Sequence, residues 1–201
     1  MNTEQLVQTL SSDLRPVRRL PGAGVRALSW AGLAVVCVAV GAAAVGLRPD
    51  ILQKAHDFGF LARGLLLLAV SALAARSAFR LGVPGEQSAR WLPIAAALAW
   101  AGLVAAGGLD GASTGWLCIA RIALFSLVPA AAAFVMLRKA APLSAGWTGA
   151  MALFATASLA MLGTSLVCPK DAPAHLLLWH LAPALLVALL GAQLGRWLFE
   201  R

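Results

Sequence analysis

AGWTGAMALFATASLAMLGTSLV, residues 145–167, contains no acid, no base and no proline. As a helix rising 1.5 Å per residue it would be about 35 Å long, enough to cross a hydrocarbon layer of roughly 30 Å. A helix pairs its backbone groups within the segment, which is what a bilayer demands. The flanking stretches, KAAPLS at 139–144 and CPKDAP at 168–173, hold the Pro, Ser, Lys and Asp of turns. The run therefore reads as a membrane span.

Its neighbours read the same way. Of 201 residues, 61% are hydrophobic and 12% charged, against about 25% charged in soluble domains. The apolar excess falls in six blocks: Ala27–Leu47, Phe58–Phe79, Trp91–Leu109, Gly115–Leu137, Ala145–Val167 and Ala174–Trp197. The second is the least clean, because Arg63 and Arg76 lie inside it and their stems must reach back to the headgroups. The first follows a polar tail of about 26 residues and is longer than the apolar region of a signal peptide. The expected fold is all-α: a polytopic membrane protein with six transmembrane helices over 27–201. A tail over 1–26 carries a short amphipathic helix.

Charge sets the expected orientation. Arg15, Arg18, Arg19 and Arg26 precede the first span, Arg76, Arg80 and Arg90 follow the second, and Arg138 and Lys139 follow the fourth. Arg196 and Arg201 end the chain. The opposite loops hold Arg48, Lys54 and Lys170, offset by Asp50, Asp57, Asp110 and Asp171. Positive residues mark the cytoplasmic face. Both termini are expected inside, and the net charge of +8 is absorbed by this rule rather than by direct nucleic-acid binding. Trp30, Trp91, Trp147 and Trp197 are placed at inner ends, Trp116 and Trp179 near outer ends, and Trp100 mid-span.

Inside the layer, Arg63 and Arg121 near the outer ends are expected to pair with Asp57, Asp110 or Asp171. Pro129 and Pro183 should bend the fourth and sixth spans. Gly191 and Gly195 form a GxxxG pair, a weak signal in a chain this rich in Gly and Ala. No acid lies inside any span, which argues against a proton-coupled transporter. HExxH, GxSxG and phosphate-loop motifs are absent, so no enzyme activity and no cofactor are expected. His175 and His180 open the last span five residues apart, a spacing that does not share an α-helical face cleanly.

In the tail, Asn2 or Thr3 can cap a helix and Glu4 complements its dipole. Leu6, Leu10 and Leu14 form an apolar stripe, with Arg15, Pro16, Arg18 and Arg19 just behind it. Such a stripe suits either a bilayer surface or an apolar groove on a cytoplasmic partner.

The tail, with its DLRPVRRL core at 13–20, resembles the N-terminus of the NrsF family of bacterial inner-membrane anti-sigma factors. CPKDAPAHLLLWHLAPALLVALLGAQLGRWL at 168–198 resembles that family's last loop and helix, and GWLCIARIALFSLVPA at 115–130 is similar too. The resemblance implies six spans, an extracytoplasmic-function sigma factor as partner, and two cysteines that respond to heavy metal or oxidant. On this chain those positions are Cys118 and Cys168. The partner-binding segment is expected to include Leu6, Leu10, Leu14, Arg15, Pro16, Arg18 and Arg19. Independently, both cysteines map to the face that the charge asymmetry makes periplasmic, where disulfides persist. Buried free cysteines are also ordinary core residues. The fourth and fifth spans share a short loop and should pack antiparallel, bringing the two thiols close, with His175 and His180 as possible further metal ligands. The alternative reading is a small membrane metal-handling carrier or membrane enzyme.

Overall fold

The computed structural model describes residues 2–12, 20–83, 85–86, 88–140 and 142–199. Among these the chain is all helical: α1 (Thr3–Ser12), α2 (Ala23–Val45), a one-turn α3 (Ile51–Lys54), α4 (Phe58–Leu81), α5 (Trp91–Ala105), α6 (Trp116–Leu137), α7 (Ala145–Val167) and α8 (Pro173–Phe199). Five of them, α2, α4, α6, α7 and α8, are 22–27 residues long and apolar enough to cross a membrane.

Six spans were expected, and the third does not reach full length. Trp91–Leu109 stops as a helix at Ala105. Gly107 N–H and Gly108 N–H close back on Val104 and Ala105, tightening the last turn, and Gly108 then takes φ +94°. That left-handed backbone is natural only for glycine and turns the chain away. The first span differs in the other direction. Gly22 is the N-cap and the helix starts at Ala23, so Ala23–Arg26 belong to α2 rather than to the tail.

α7 lies at the centre. α7 packs against α2, α4, α6 and α8 and is buried on nearly every side, whereas the helices around it keep broad apolar faces outward. A helix apolar all round belongs in a core. Its small residues let neighbours approach, and all its hydroxyls but that of Thr164 are absorbed locally. Thr156 donates to the Leu153 carbonyl, Ser158 to Phe154 and Ser165 to Met161. Ser71 of α4 donates across to the Ala155 carbonyl at 2.9 Å.

The closest approach is between α7 and α8, and there the GxxxG pair matters. Added Cβ atoms on Gly149 or Gly195 would collide with the carbonyls of Gly191 and Ala145. One on Gly191 would stand 2.5 Å from the Gly149 carbonyl. Only bare backbones fit at this crossing.

Two expectations change at the tryptophans and arginines. Trp30 is not an interface residue: it is 1% exposed, and its Nε1–H donates to the Pro129 carbonyl at 2.9 Å. Arg63 turns back to the Gly59 carbonyl of its own helix, and neither it nor Arg121 forms an ion pair among the described residues. The ion pairs at that end centre on Arg48 and Asp171. Helix ends meet in alternation. Arg48 reaches the loop after α7, while Arg26 at the start of α2 donates to the Phe79 carbonyl near the end of α4. The bundle therefore runs up and down, with the 46–57, 106–115 and 168–172 connections at one end.

Candidate metal centre

At that end the sequence places a cysteine in the first turn of α6, another just after α7, and two histidines at the start of α8. Cys118 is fixed by its N–H to the Gly115 carbonyl, and Cys168 by its N–H to the Thr164 carbonyl. Lys170 Nζ donates to the Thr114 carbonyl at 2.7 Å, tying the loop after α7 to the residues that precede α6.

These ties bring four ligating groups together. Cys118 Sγ lies 3.4 Å from Cys168 Sγ and 3.5 Å from His175 Nε2, and Cys168 Sγ lies 3.8 Å from His175 Nε2. With His180 included, one ligand atom from each residue lies within 4.8 Å of every other, and all four residues are buried. A tetrahedral shell with Zn–S near 2.3 Å and Zn–N near 2.05 Å spaces its ligands about 3.3–3.8 Å apart. The three distances fall in that range. A small inward movement of His180 would complete the shell.

The orientation of each ring has a cause. His175 Nδ1 lies 3.0 Å from the Ser113 carbonyl and 3.2 Å from its hydroxyl. Donation from Nδ1 to that carbonyl leaves Nε2 as the lone-pair nitrogen, the arrangement of a ligating histidine with an outer partner. His180 is fully buried, and neither of its ring nitrogens makes a hydrogen bond among the described residues. It packs edge to face on His175 with centroids 5.6 Å apart. A fully buried imidazole without a partner is costly unless something else uses its lone pair.

The expectation that His175 and His180 miss a common face is corrected here. In an α-helix five residues turn through about 140° beyond a full circle. α8 is instead a π-turn over Leu177–Leu181, with i→i+5 pairing. That widening stacks residue i+5 over residue i, and π-turns cluster at functional sites. Gly115 completes the pocket: a Cβ there would fall 2.7 Å from His175 Cε1 and 2.5 Å from Trp179 Cγ.

The loop between the last two helices is clamped from outside. Arg48 is 2% exposed and donates to both carboxylate oxygens of Asp171 at 2.8 Å and to Asp50 at 2.7 and 2.9 Å. Lys54 adds a 2.9 Å contact to Asp171. Burial alone would raise the Asp171 carboxyl, but the Arg48 and Lys54 hydrogen bonds outweigh it and hold it below its ordinary value. At Cys168 the hydrogen bond from the Cys118 thiol outweighs burial and favours the thiolate.

Of the residues read from sequence, Cys118, Cys168, His175 and His180 are brought together. Leu6 and Leu10 lie exposed on α1, a helix with no buried residue. Leu14, Arg15, Pro16, Arg18 and Arg19 fall outside the described residues. Cys37 in mid-α2 and the exposed His56 are not in the cluster. The sequence reading missed Ser113, Gly115 and the Arg48–Asp171 clamp. Ser113 and Gly115 sit in a turn-rich loop where they look like punctuation, and the clamp joins residues 123 apart. No curated protein and no solved structure matches the chain. The sequence model of NrsF, the negative regulator of sigma F, matches residues 10–200, and the chain belongs to that family.

Proposed function

We propose that this protein is a six-span inner-membrane anti-sigma factor, both termini cytoplasmic, that holds an extracytoplasmic-function sigma factor through its tail. Release follows when a soft or borderline divalent metal binds Cys118, Cys168, His175 and His180 on the periplasmic side. The observation that carries this reading is the buried convergence of four ligating side chains, one with both nitrogens unpartnered. Two thiolates and two imidazoles in a tetrahedron suit zinc and softer ions such as cadmium better than magnesium or calcium. The arginine asymmetry supports the orientation. α5 makes the sixth span: at 15 residues it is about 22 Å long, and tilted neighbours with a locally thinned bilayer accommodate a short helix. The exposed Leu6, Val7 and Leu10 stripe supports the partner-binding role of the tail.

A signal requires two states with different sigma affinity, and the metal must favour the released one. Drawing His180 inward tightens the π-turn of α8. α8 meets α7 backbone to backbone, and the clamp on Asp171 links the same loop to the end of α2, whose other end carries the tail. Oxidation is the second reading, favoured by the 3.4 Å separation of the thiols. Disulfide formation would pass two electrons to an oxidant and release two protons.

The test is sigma-dependent transcription under cadmium in cells carrying Cys118→Ser, Cys168→Ser or His180→Ala. Loss of the response with basal repression intact is expected. A full response in the Cys118→Ser, Cys168→Ser double variant would overturn the sensing role. A response lost in the cysteine variants but kept in His180→Ala would favour oxidation.

A further inference from the structure

A cleft of about 780 Å³ opens between α5, α7 and α8, away from the metal centre. Its walls are apolar, with Leu98 of α5, Met151 and Phe154 of α7, and Leu185 and Leu189 of α8 among them. Its mouth is cationic. Arg196 lies against Gly146, where a Cβ would stand 3.0 Å from its Nε, and Arg90 lies over the Trp147 ring at 5.7 Å. Neither arginine meets a carboxylate among the described residues.

We infer that this cleft is a binding site for one anionic phospholipid, its acyl chain in the groove and its phosphate at Arg196 and Arg90. Three observations commit it to that occupant. Along α7 the lining runs from Ala145 to Phe154, about 14 Å of helix, and along α8 from Leu181 to Arg196, about 22 Å, so the groove stops short of a roughly 30 Å core. A transmembrane helix from a second copy would need a groove running the full layer. The charge sits at one end of the groove, where a headgroup would be, and its sign is opposite to that of phosphate. The groove also borders α5, an apolar helix too short for the full layer, so lipid beside it must adapt to a shorter wall. Trp147, half exposed at the mouth, suits the level of the headgroups. The inference rests on the chain lying in a bilayer and is independent of sigma binding and of the metal centre.

The test is native mass spectrometry of the full-length protein released from nanodiscs of mixed phosphatidylglycerol and phosphatidylcholine. The parent is expected to keep one phospholipid per chain, with phosphatidylglycerol favoured. Each arginine near a membrane surface favours anionic lipid by about fivefold, so Arg196→Gln should lower that preference about fivefold while lipid is still retained. Ala188→Phe, which fills the groove, should abolish retention of either lipid. No retained lipid in the parent, an unchanged preference in Arg196→Gln, or a dimer whose contact is broken by Ala188→Phe would each overturn the site. Membrane-embedded protein that retains no lipid would sink this inference alone and leave the anti-sigma reading standing.

Discussion

At one end of the bundle, Cys118, Cys168, His175 and His180 are buried, and loops pinned by Lys170, Ser113 and Arg48 hold them in place. In α1, Leu6, Val7 and Leu10 are 42–63% exposed and the helix has no buried residue. Its own contacts are local: Asn2 and Gln5 cap each other reciprocally, with Gln5 N–H donating to Asn2 Oδ1 at 2.9 Å and Asn2 N–H to Gln5 Oε1 at 3.1 Å. A site for a small ion needs preorganised ligands, and on the proposed reading these four side chains are such ligands. A segment that binds a protein needs accessible apolar surface, and on the proposed reading α1 is such a segment. On the same reading the first region takes the input and the second gives the output.

The largest effect should come from removing ligands. Replacing Cys118 and Cys168 together by Ser should lower metal affinity by more than the roughly 10–100-fold that loss of an outer-shell partner costs. Titration of purified protein with cadmium or zinc reads this directly. Basal sigma repression should persist, because α1 is untouched. If repression collapses as well, the two regions are not separable.

The converse variant is Leu10→Asp. A charge in the apolar stripe should weaken sigma binding by about 2–4 kcal/mol, the size of a hot-spot loss, and leave metal binding unchanged. Co-purification from membranes measures the first, and metal titration of the same preparation the second. Full retention of the sigma factor would move the contact away from the stripe.

Gly191→Ala probes what lies between. Its Cβ would meet the Gly149 carbonyl and Leu153, and overpacking of this kind costs about 1–3 kcal/mol. The thermal midpoint in detergent should drop. Gly102→Ala, inside α5 with nothing within 4 Å, should not lower it and should raise it slightly.

The smallest effect is at the clamp. Asp171→Asn should cost about 1–2 kcal/mol, less than the 3–5 of a fully buried pair, because Arg48 keeps Asp50. A carboxyl lowered in the folded state contributes fully above its unfolded value, near 3.9, and loses the contribution as pH falls through the lower folded value. The difference between Asp171→Asn and the parent should therefore be constant from about pH 5 to 8 and close only in acid well below pH 4. A difference that closes near neutrality would show that the clamp is not an ionised Asp171.

Much of this was legible in the chain itself. Apolar runs with few charges located all five long helices, because bilayer thickness imposes a length that composition alone can meet. The same logic overextended α5, since Gly107 and Gly108 are apolar by composition yet end the helix by backbone geometry. Cys118 and Cys168 were legible through family resemblance and through loop alternation, which puts them at one end. His175 and His180 were legible as possible metal ligands but not as residues of one face. Their common face depends on a π-turn, and Leu177–Leu181, LLWHL, differs little in composition from the α-helical sequence after it. The Gly149–Gly191–Gly195 crossing was half visible, because one GxxxG pair marks a possible contact and only packing names its other side.

The most direct test of the metal centre is X-ray absorption on the full-length protein loaded with one equivalent of zinc. The expected first shell holds two sulfurs and two imidazole nitrogens, and His180→Ala removes one of the nitrogens. A shell of oxygen ligands, or one unchanged in the Cys118→Ser, Cys168→Ser double variant, would contradict the assignment of these four residues as the metal centre.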